Sequence, residues 1–290
     1  MRDKSTRLGT LTVIILTYNE EANVAQALDS VVGWADEVFI LDSYSKDRTI
    51  EVAQNYECQI VQNKFEDFAK QRNFALDHLP ISSEWVLFLD ADEWMLDVLK
   101  QEISTRIAGN PIENGFYLNR RFIWMGSWIK RGYYPIWTLR LFRYGKGRCE
   151  DRAVNEHIII QGETGHLRND YMHEDRKGVG DWIEKHIDRA RREAHELFNT
   201  RSAPGYQEID ARIFGTQEQR KRWLRYKVWN HLPPLIRPIF YFIYRYIFAG
   251  GFLDGRNAFI YHFLQALWFP MLIDIMHIEM KFSRKSDKQE

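Results

Sequence analysis

Val86, Leu87, Phe88 and Leu89 are four consecutive apolar residues of strand-forming type, and they run straight into Asp90, Ala91, Asp92 and Glu93. So short and uninterrupted a run suits a strand buried on both faces of a parallel sheet. The carboxylates then fall at the strand's C-terminal edge, where open α/β sheets bind ligands. Asp90 and Asp92, spaced i and i+2 on an irregular turn, can aim at one hard cation. Mg2+ or Mn2+ takes a few protein oxygens and completes its shell with water and phosphate, so the pattern suits a site for metal and diphosphate. The competing reading is a solvated acidic turn whose Asp92 and Glu93 favour the start of the next helix.

The chain ahead of this stretch repeats the pattern. Leu11 to Leu16 is a β-branched apolar run followed by Thr17, Tyr18, Asn19, Glu20 and Glu21, which make a good helix start. Ala22, Ala25, Leu28, Val31 and Val32 then fall at helical spacing. Glu37 to Leu41 is a second short strand, running into the polar loop Asp42 to Arg48, where Asp47 can cap a helix beginning near Thr49. Cys58 to Val61 reads as a further strand, and Phe68 to Leu79 as the helix leading to Trp85. Strands and helices alternating over short links argue for βαβ units and a parallel sheet. Three strands thus end in polar, carboxylate-bearing clusters that share one sheet edge, as a nucleotide and metal crevice requires. No GxGxxG follows the first strand and no GxxxxGK[ST] occurs, so neither a dinucleotide fold nor a P-loop is supported.

Composition narrows the class. With 45% hydrophobic residues in 290 the chain can bury a core, which excludes a disordered protein. Lys+Arg and Asp+Glu both number 40, so global charge indicates no polyanionic partner. Two cysteines, Cys58 and Cys149, are too few for a disulfide framework or a cysteine-built zinc site and fit a reducing cytoplasm. MRDKSTRLGT lacks the apolar core of a signal peptide, and no run of about 18 uncharged apolar residues marks a clean transmembrane helix.

The stretches ILTYNEEANVAQALDSV, LDSYSKDRT, KQRNFAL and FLDADEW resemble family 2 glycosyltransferases of GT-A fold, in particular the branch with lipopolysaccharide-core glucosyltransferases and colanic-acid-type exopolysaccharide transferases. The resemblance covers roughly residues 10 to 175. It implies an α/β fold, a mostly parallel sheet flanked by helices. It also implies that Thr17, Tyr18, Glu20 and Asp42 hold the base and ribose of a nucleotide sugar, and that Arg72 faces the nucleotide. Asp90 and Asp92 match the DxD motif that carries the divalent metal, with Asp90 also on the donor. One departure is Tyr44, where the family often has Gly. The chemistry agrees: a diphosphate leaving group develops negative charge that a metal stabilises, and the attacking hydroxyl needs a carboxylate base.

Gly115 to Phe122 and Leu139 to Arg143 alternate enough to be strands, with the aromatic-rich Trp124 to Trp137 between them as an acceptor-side loop. By resemblance the catalytic base follows: Glu156 is favoured and Asp151 is second. A surface cluster of Glu150, Asp151, Arg152 and His157 is the plainer alternative. His173 matches the late histidine that GT-A enzymes bring back to the metal.

From Val179, Ile183, Ile187, Ala190, Ala194 and Leu197 form one helical stripe, an amphipathic helix expected to cover the domain. Arg220 to Arg256 then carries eight Lys or Arg against one acid, Asp254, and is interleaved with Trp, Tyr and Phe. Basic and aromatic residues together mark helices lying in a membrane interface. Pro233–Pro234 and Gly250–Gly251 divide the segment into short helices rather than one span. The alternative is an aromatic-rich helical subdomain packed on the catalytic core or on a dimer partner. Nucleic-acid binding is disfavoured, because the rings lie in apolar helices rather than on a stacking sheet.

The expected organisation is a tail at 1–9, a GT-A catalytic domain at 10–178, a helical membrane-interfacial extension at 179–280 and a polar tail at 281–290. The expected activity is metal-dependent inverting transfer of a hexose from a UDP-sugar to a lipid-linked glycan in envelope polysaccharide or lipopolysaccharide synthesis, at the cytoplasmic face of the membrane. A polyprenyl-phosphate sugar transferase and a non-catalytic membrane scaffold are the alternatives, and a homo-oligomer is left open.

Overall fold

The computed structural model describes residues 7–150, 157–199, 214, 219–220, 223–224 and 227–286. Described residues within Met1–Phe122 and Pro135–Arg176 form one compact unit, and those within Ile123–Tyr134 and Lys177–Glu290 a second.

The first unit begins with alternating elements: β1 (Arg7–Thr17), α1 (Val24–Val31), β2 (Glu37–Asp42), α2 (Thr49–Ala53), β3 (Gln59–Gln62), α3 (Phe68–His78) and β4 (Ser83–Asp90). Then come β5 (Glu93–Trp94), α4 (Asp97–Ala108), β6 (Gly115–Trp124), β8 (Trp137–Arg143), the hairpin of β9 (Gly147–Cys149) and β10 (Ile158–Ile160), and β11 (Thr164–His173). The short β7 (Ser127–Trp128) folds back on the end of β6. In the main sheet the order is β3-β2-β1-β4-β8-β6-β11-β5. β3, β2, β1 and β4 are mutually parallel, β8 is antiparallel to both its neighbours, and β11 is parallel to β6. This is the α/β, GT-A-like architecture.

The apolar runs are uninterrupted because both sheet faces are covered. Val13 and Ile15 of β1 with Leu87 and Leu89 of β4 enter one core with α1 and α4. Ile14, Leu16, Val86 and Phe88 enter the other with Ala75 and Leu76 of α3. A fully buried Phe or Ile contributes about 1.5–3 kcal/mol, so the sheet is a rigid platform for its edge. Parallel register aligns Thr17 with Asp42 and Leu16 with Asp90, which brings the three expected clusters to one edge.

Two local expectations change. Helix α1 starts at Val24 rather than at Asn19, because Asn19 adopts a left-handed φ of 52°. The acidic turn does not cap the next helix: α4 starts at Asp97, while Glu93 is fully buried in β5 and accepts the Asp90 N–H (2.9 Å).

In the second unit, α5 (Val179–Asn199) buries Ala190 and Ala194 against Phe269 and Ile273 of α8 (Phe269–Ser286). The stripe read from sequence therefore packs within this unit. The breaks at Pro233–Pro234 and Gly250 are present, and between them lie α6 (Arg237–Ile243) and a wide turn, Tyr244–Phe248. Beyond Gly250 the structure departs from the expected short helices. Gly251–Ser283, including α7 (Gly255–His262), is long and apolar enough to cross a membrane by length and composition, with 39% of its most apolar window buried. It continues through Pro270 because a wide turn, Phe263–Trp268, precedes the proline and absorbs its missing donor.

Candidate active site

The three loops at the sheet edge are built from interlocking polar side chains. Asp42 is fully buried at the end of β2, and its carboxylate accepts from Thr17 Oγ1 (2.9 Å), Ser45 N (2.9 Å), Ser45 Oγ (2.5 Å) and Gln62 Nε2 (3.0 Å). Asp47 accepts from Thr49 N (3.0 Å) and Glu21 N (3.0 Å), tying the second loop to the first. Tyr18 is exposed beside them, and Glu20 Oε2 accepts from Asn23 Nδ2 (2.8 Å). Tyr44 has a φ of 61°, the left-handed region that costs an L side chain about 1–2 kcal/mol. A glycine at this position would meet that conformation without cost.

At the third loop, Asp90 faces two guanidiniums. Arg140 Nη2 donates to Asp90 Oδ2 (2.6 Å) and to Glu93 Oε1 (2.9 Å), and Arg72 Nη2 of α3 donates to Asp90 Oδ1 (3.2 Å). Burial would raise the Asp90 carboxyl, but the charges of Arg140 and then Arg72 hold it far below the usual carboxylate range. Glu93 goes the other way: burial, then the charge of Asp90, push it up against the pull of Arg140. The same two carboxylates raise Arg140, although burial alone would lower it.

β5 brings the fourth group. It pairs antiparallel with β11 so that His173 stands opposite Glu93, and His173 Nε2 comes within 3.3 Å of Asp92 Oδ2. The ring meets Phe122 edge-on at 5.1 Å. Asp92 also holds the outgoing chain, its carbonyl accepting from Glu174 N (3.0 Å). Asn23 completes the rim by donating to Asp175 Oδ1 (3.0 Å) and accepting from Arg176 N (2.9 Å). Among the described residues, no group of three or more His, Cys, Asp and Glu is arranged to hold a metal ion.

The structure thus brings Thr17, Tyr18, Glu20, Asp42, Asp90, Asp92 and His173 to adjoining strand ends and loops at one sheet edge, with Arg72 reaching Asp90 from α3. Asp151 and Glu156 lie outside the described residues. What flanks them is held firmly: Glu150 N donates to His157 O (2.9 Å), and both the N–H and the C=O of Cys149 bond the Asn73 amide (3.0 and 3.1 Å). Arg148 adds two bonds to Asp77, both 2.8 Å. Sequence reading missed Arg140. Its signal was a cation between Leu139 and Leu141 in a strand, since a buried charge demands a partner.

Residues 12–154 match the model of "Glycosyl transferase family 2". Residues 12–154 are thus similar to the family 2 glycosyltransferases. An uncharacterized glycosyltransferase of Rickettsia typhi is 33% identical over 100 residues, 34% of this chain and 34% of its own length. Glycosyltransferase SunS of Bacillus phage SPbeta is 36% identical over 89 residues, 29% of this chain and 20% of its own. The chain therefore spans about a third or less of the length of these relatives. Among solved structures, S. aureus TarS 1–349 aligns over 95% of this chain and 92% of its own at 15% identity and a TM-score of 0.47. Glucosyl-3-phosphoglycerate synthase from Mycobacterium tuberculosis, in complex with Mn2+, UDP-glucose and phosphoglyceric acid, aligns over 39% of this chain and 44% of its own at 18% identity and a TM-score of 0.33.

Proposed function

We propose that the protein transfers a hexose with inversion from a nucleotide-diphosphate sugar, foremost a UDP-sugar, to a lipid-linked glycan at the cytoplasmic face of a membrane, in envelope polysaccharide synthesis of the lipopolysaccharide-core or exopolysaccharide type. Catalysis is assigned to residues 10–178 and membrane association to 179–280. The observation that carries this reading is the meeting of Asp92 and His173 beside Arg72 and Arg140 at the sheet edge.

The residues fit a divalent cation. Two donors 3.3 Å apart are close to neighbouring corners of an octahedron, about 3.0 Å for bonds of roughly 2.1 Å. Asp92 and His173 would hold Mg2+ or Mn2+, and the ion, when bound, would supply Lewis-acid stabilisation of the leaving group. Asp90, the first aspartate of the DxD motif, orders Arg72 and Arg140, and the donor-side role of both guanidiniums is to neutralise phosphate. Thr17, Tyr18, Glu20 and Asp42 line the nucleoside end, Asp42 by fixing the loops. Glu156, with Asp151 second, takes the proton of the attacking hydroxyl; a single displacement needs one base and no enzyme nucleophile.

The test is transfer from labelled nucleotide sugars in the presence of bacterial membranes, followed by organic extraction. Label from UDP-glucose or another UDP-hexose entering the lipid phase supports the reading. Label passing only to water-soluble acceptors contradicts the lipid-linked acceptor.

A further inference from the structure

Helix α6 and the wide turn after it are inside out. Arg237, Tyr241 and Arg245, spaced four apart, face the interior of the second unit. Arg237 is buried in a fork on Asp274 and donates to Trp229 O (3.0 Å), while Arg245 donates to Tyr241 Oη (2.6 Å) and stacks on Tyr133, 3.9 Å from the ring centre. The opposite face is apolar and solvent-facing: Ile236, Ile239, Phe240, Tyr244, Ile247 and Phe248, with Phe240 62% and Phe248 79% exposed. Phe252, Leu253, Phe259 and Phe263 continue it. A helix in contact with water places its apolar stripe inward and its charges outward. Here the order is reversed, so the outward medium this sequence suits is not water.

Charge selects the medium. Among the described residues of 227–263 the one acid, Asp254, is turned inward, its carboxylate accepting from Lys130 N (2.8 Å), Arg131 N (2.6 Å) and Arg131 Nη1 (2.6 Å). Lys227, ahead of the strip, and Arg256, between Leu253 and Phe259, are exposed. Aromatic and aliphatic side chains bordered by cations alone complement a bilayer with anionic headgroups. Arg237 to Phe248 is about 18 Å long at 1.5 Å per residue, too short for a hydrocarbon core of about 30 Å, so it lies along the surface.

We propose that the Ile236–Phe263 face docks on an anionic bilayer, with Phe240, Tyr244 and Phe248 embedded among the acyl chains. This deepens the membrane-associated reading above by naming the surface and its chemistry, and it is independent of the donor site.

The experiment is flotation of the full chain with vesicles of phosphatidylglycerol and phosphatidylethanolamine, without nucleotide, in parallel with UDP binding. The Phe240→Ser/Phe248→Ser protein is expected to lose at least tenfold in vesicle partition while keeping its UDP affinity. Ile112→Ser, an equally exposed apolar site in the first unit, is expected to float as the wild type does. A Phe248→Trp protein, whose added emission is quenched by brominated acyl chains, reports insertion without removing apolar surface. Wild-type protein that stays unbound, a double variant that floats undiminished, or added emission that brominated lipid leaves unchanged would each overturn the proposal. So would a lipid-free wild-type dimer that the double variant splits, with no vesicle binding, because the face would then belong to a second copy. Loss of UDP binding alone would strike the donor reading and leave this one standing.

Discussion

Arg140 Nη2 lies 2.6 Å from Asp90 Oδ2 and 2.9 Å from Glu93 Oε1, so one cation on β8 serves the carboxylate that ends β4 and the one that opens β5. Removing it leaves a buried glutamate beside an under-compensated aspartate. Arg140→Met is expected to cost about 3 kcal/mol, or about 10 °C in melting temperature. Arg140→Lys recovers part of the loss, because an ammonium keeps the charge but not the fork. Thermal unfolding by circular dichroism checks this; an Arg140→Met protein melting with the wild type would show that the cation is dispensable.

Tyr44 holds a φ of 61° on an exposed loop. Tyr44→Gly is expected to stabilise the chain by up to about 1 kcal/mol, the relief of left-handed strain less the larger entropy glycine loses on folding. Tyr44→Val should destabilise by more than about 1 kcal/mol, since a β-branched residue tolerates this region worst. Urea unfolding of both variants gives the two signs.

Asn73 bonds both backbone groups of Cys149 and sits one residue after Arg72. Asn73→Ala should leave donor KM nearly unchanged and lower kcat about tenfold or more, since small misplacements near a base are costly. Steady-state kinetics with the donor varied, normalised to active sites counted by UDP binding, separates this from a general loss of fold, which would lower the active fraction and leave per-site kcat intact.

Burial, with the nearby charges of Arg189 and Lys185, lowers His186 from 6.5 to about 4. The unfolded chain therefore binds a proton that the folded one does not between those values. His186 should contribute no penalty above pH 6.5, and stability should fall as pH drops from 6.5 toward 4. His186→Gln should flatten that decline. Melting temperature against pH, compared between the two proteins, checks it.

Much of the first unit was legible because a strand buried on both faces must be an unbroken apolar run, as Val13–Leu16, Val38–Leu41 and Val86–Leu89 are. Their polar ends then mark the functional edge. What escaped was long-range. β11 reads TGHLRNDYMH, too polar to announce a strand, and β5 is two residues long, yet their pairing is what brings His173 to Asp92. Arg140 was hidden for the same reason, since its partners are 47 and 50 residues away. In the second unit, composition signalled an interface, but the inward turn of Arg237 and Arg245 appears only once Asp274, Tyr241 and Tyr133 are in place around them.

The central claim is a donor site in which Asp92 carries a metal for a nucleotide diphosphate. Isothermal calorimetry of UDP, GDP and dTDP with and without Mn2+, on wild type and Asp92→Ala, tests it most directly. The account predicts UDP binding that requires Mn2+ and is lost in Asp92→Ala while the fold, followed by circular dichroism, is kept. A folded wild type that binds none of the three nucleotides, or an Asp92→Ala protein that binds UDP and Mn2+ as the wild type does, would contradict it.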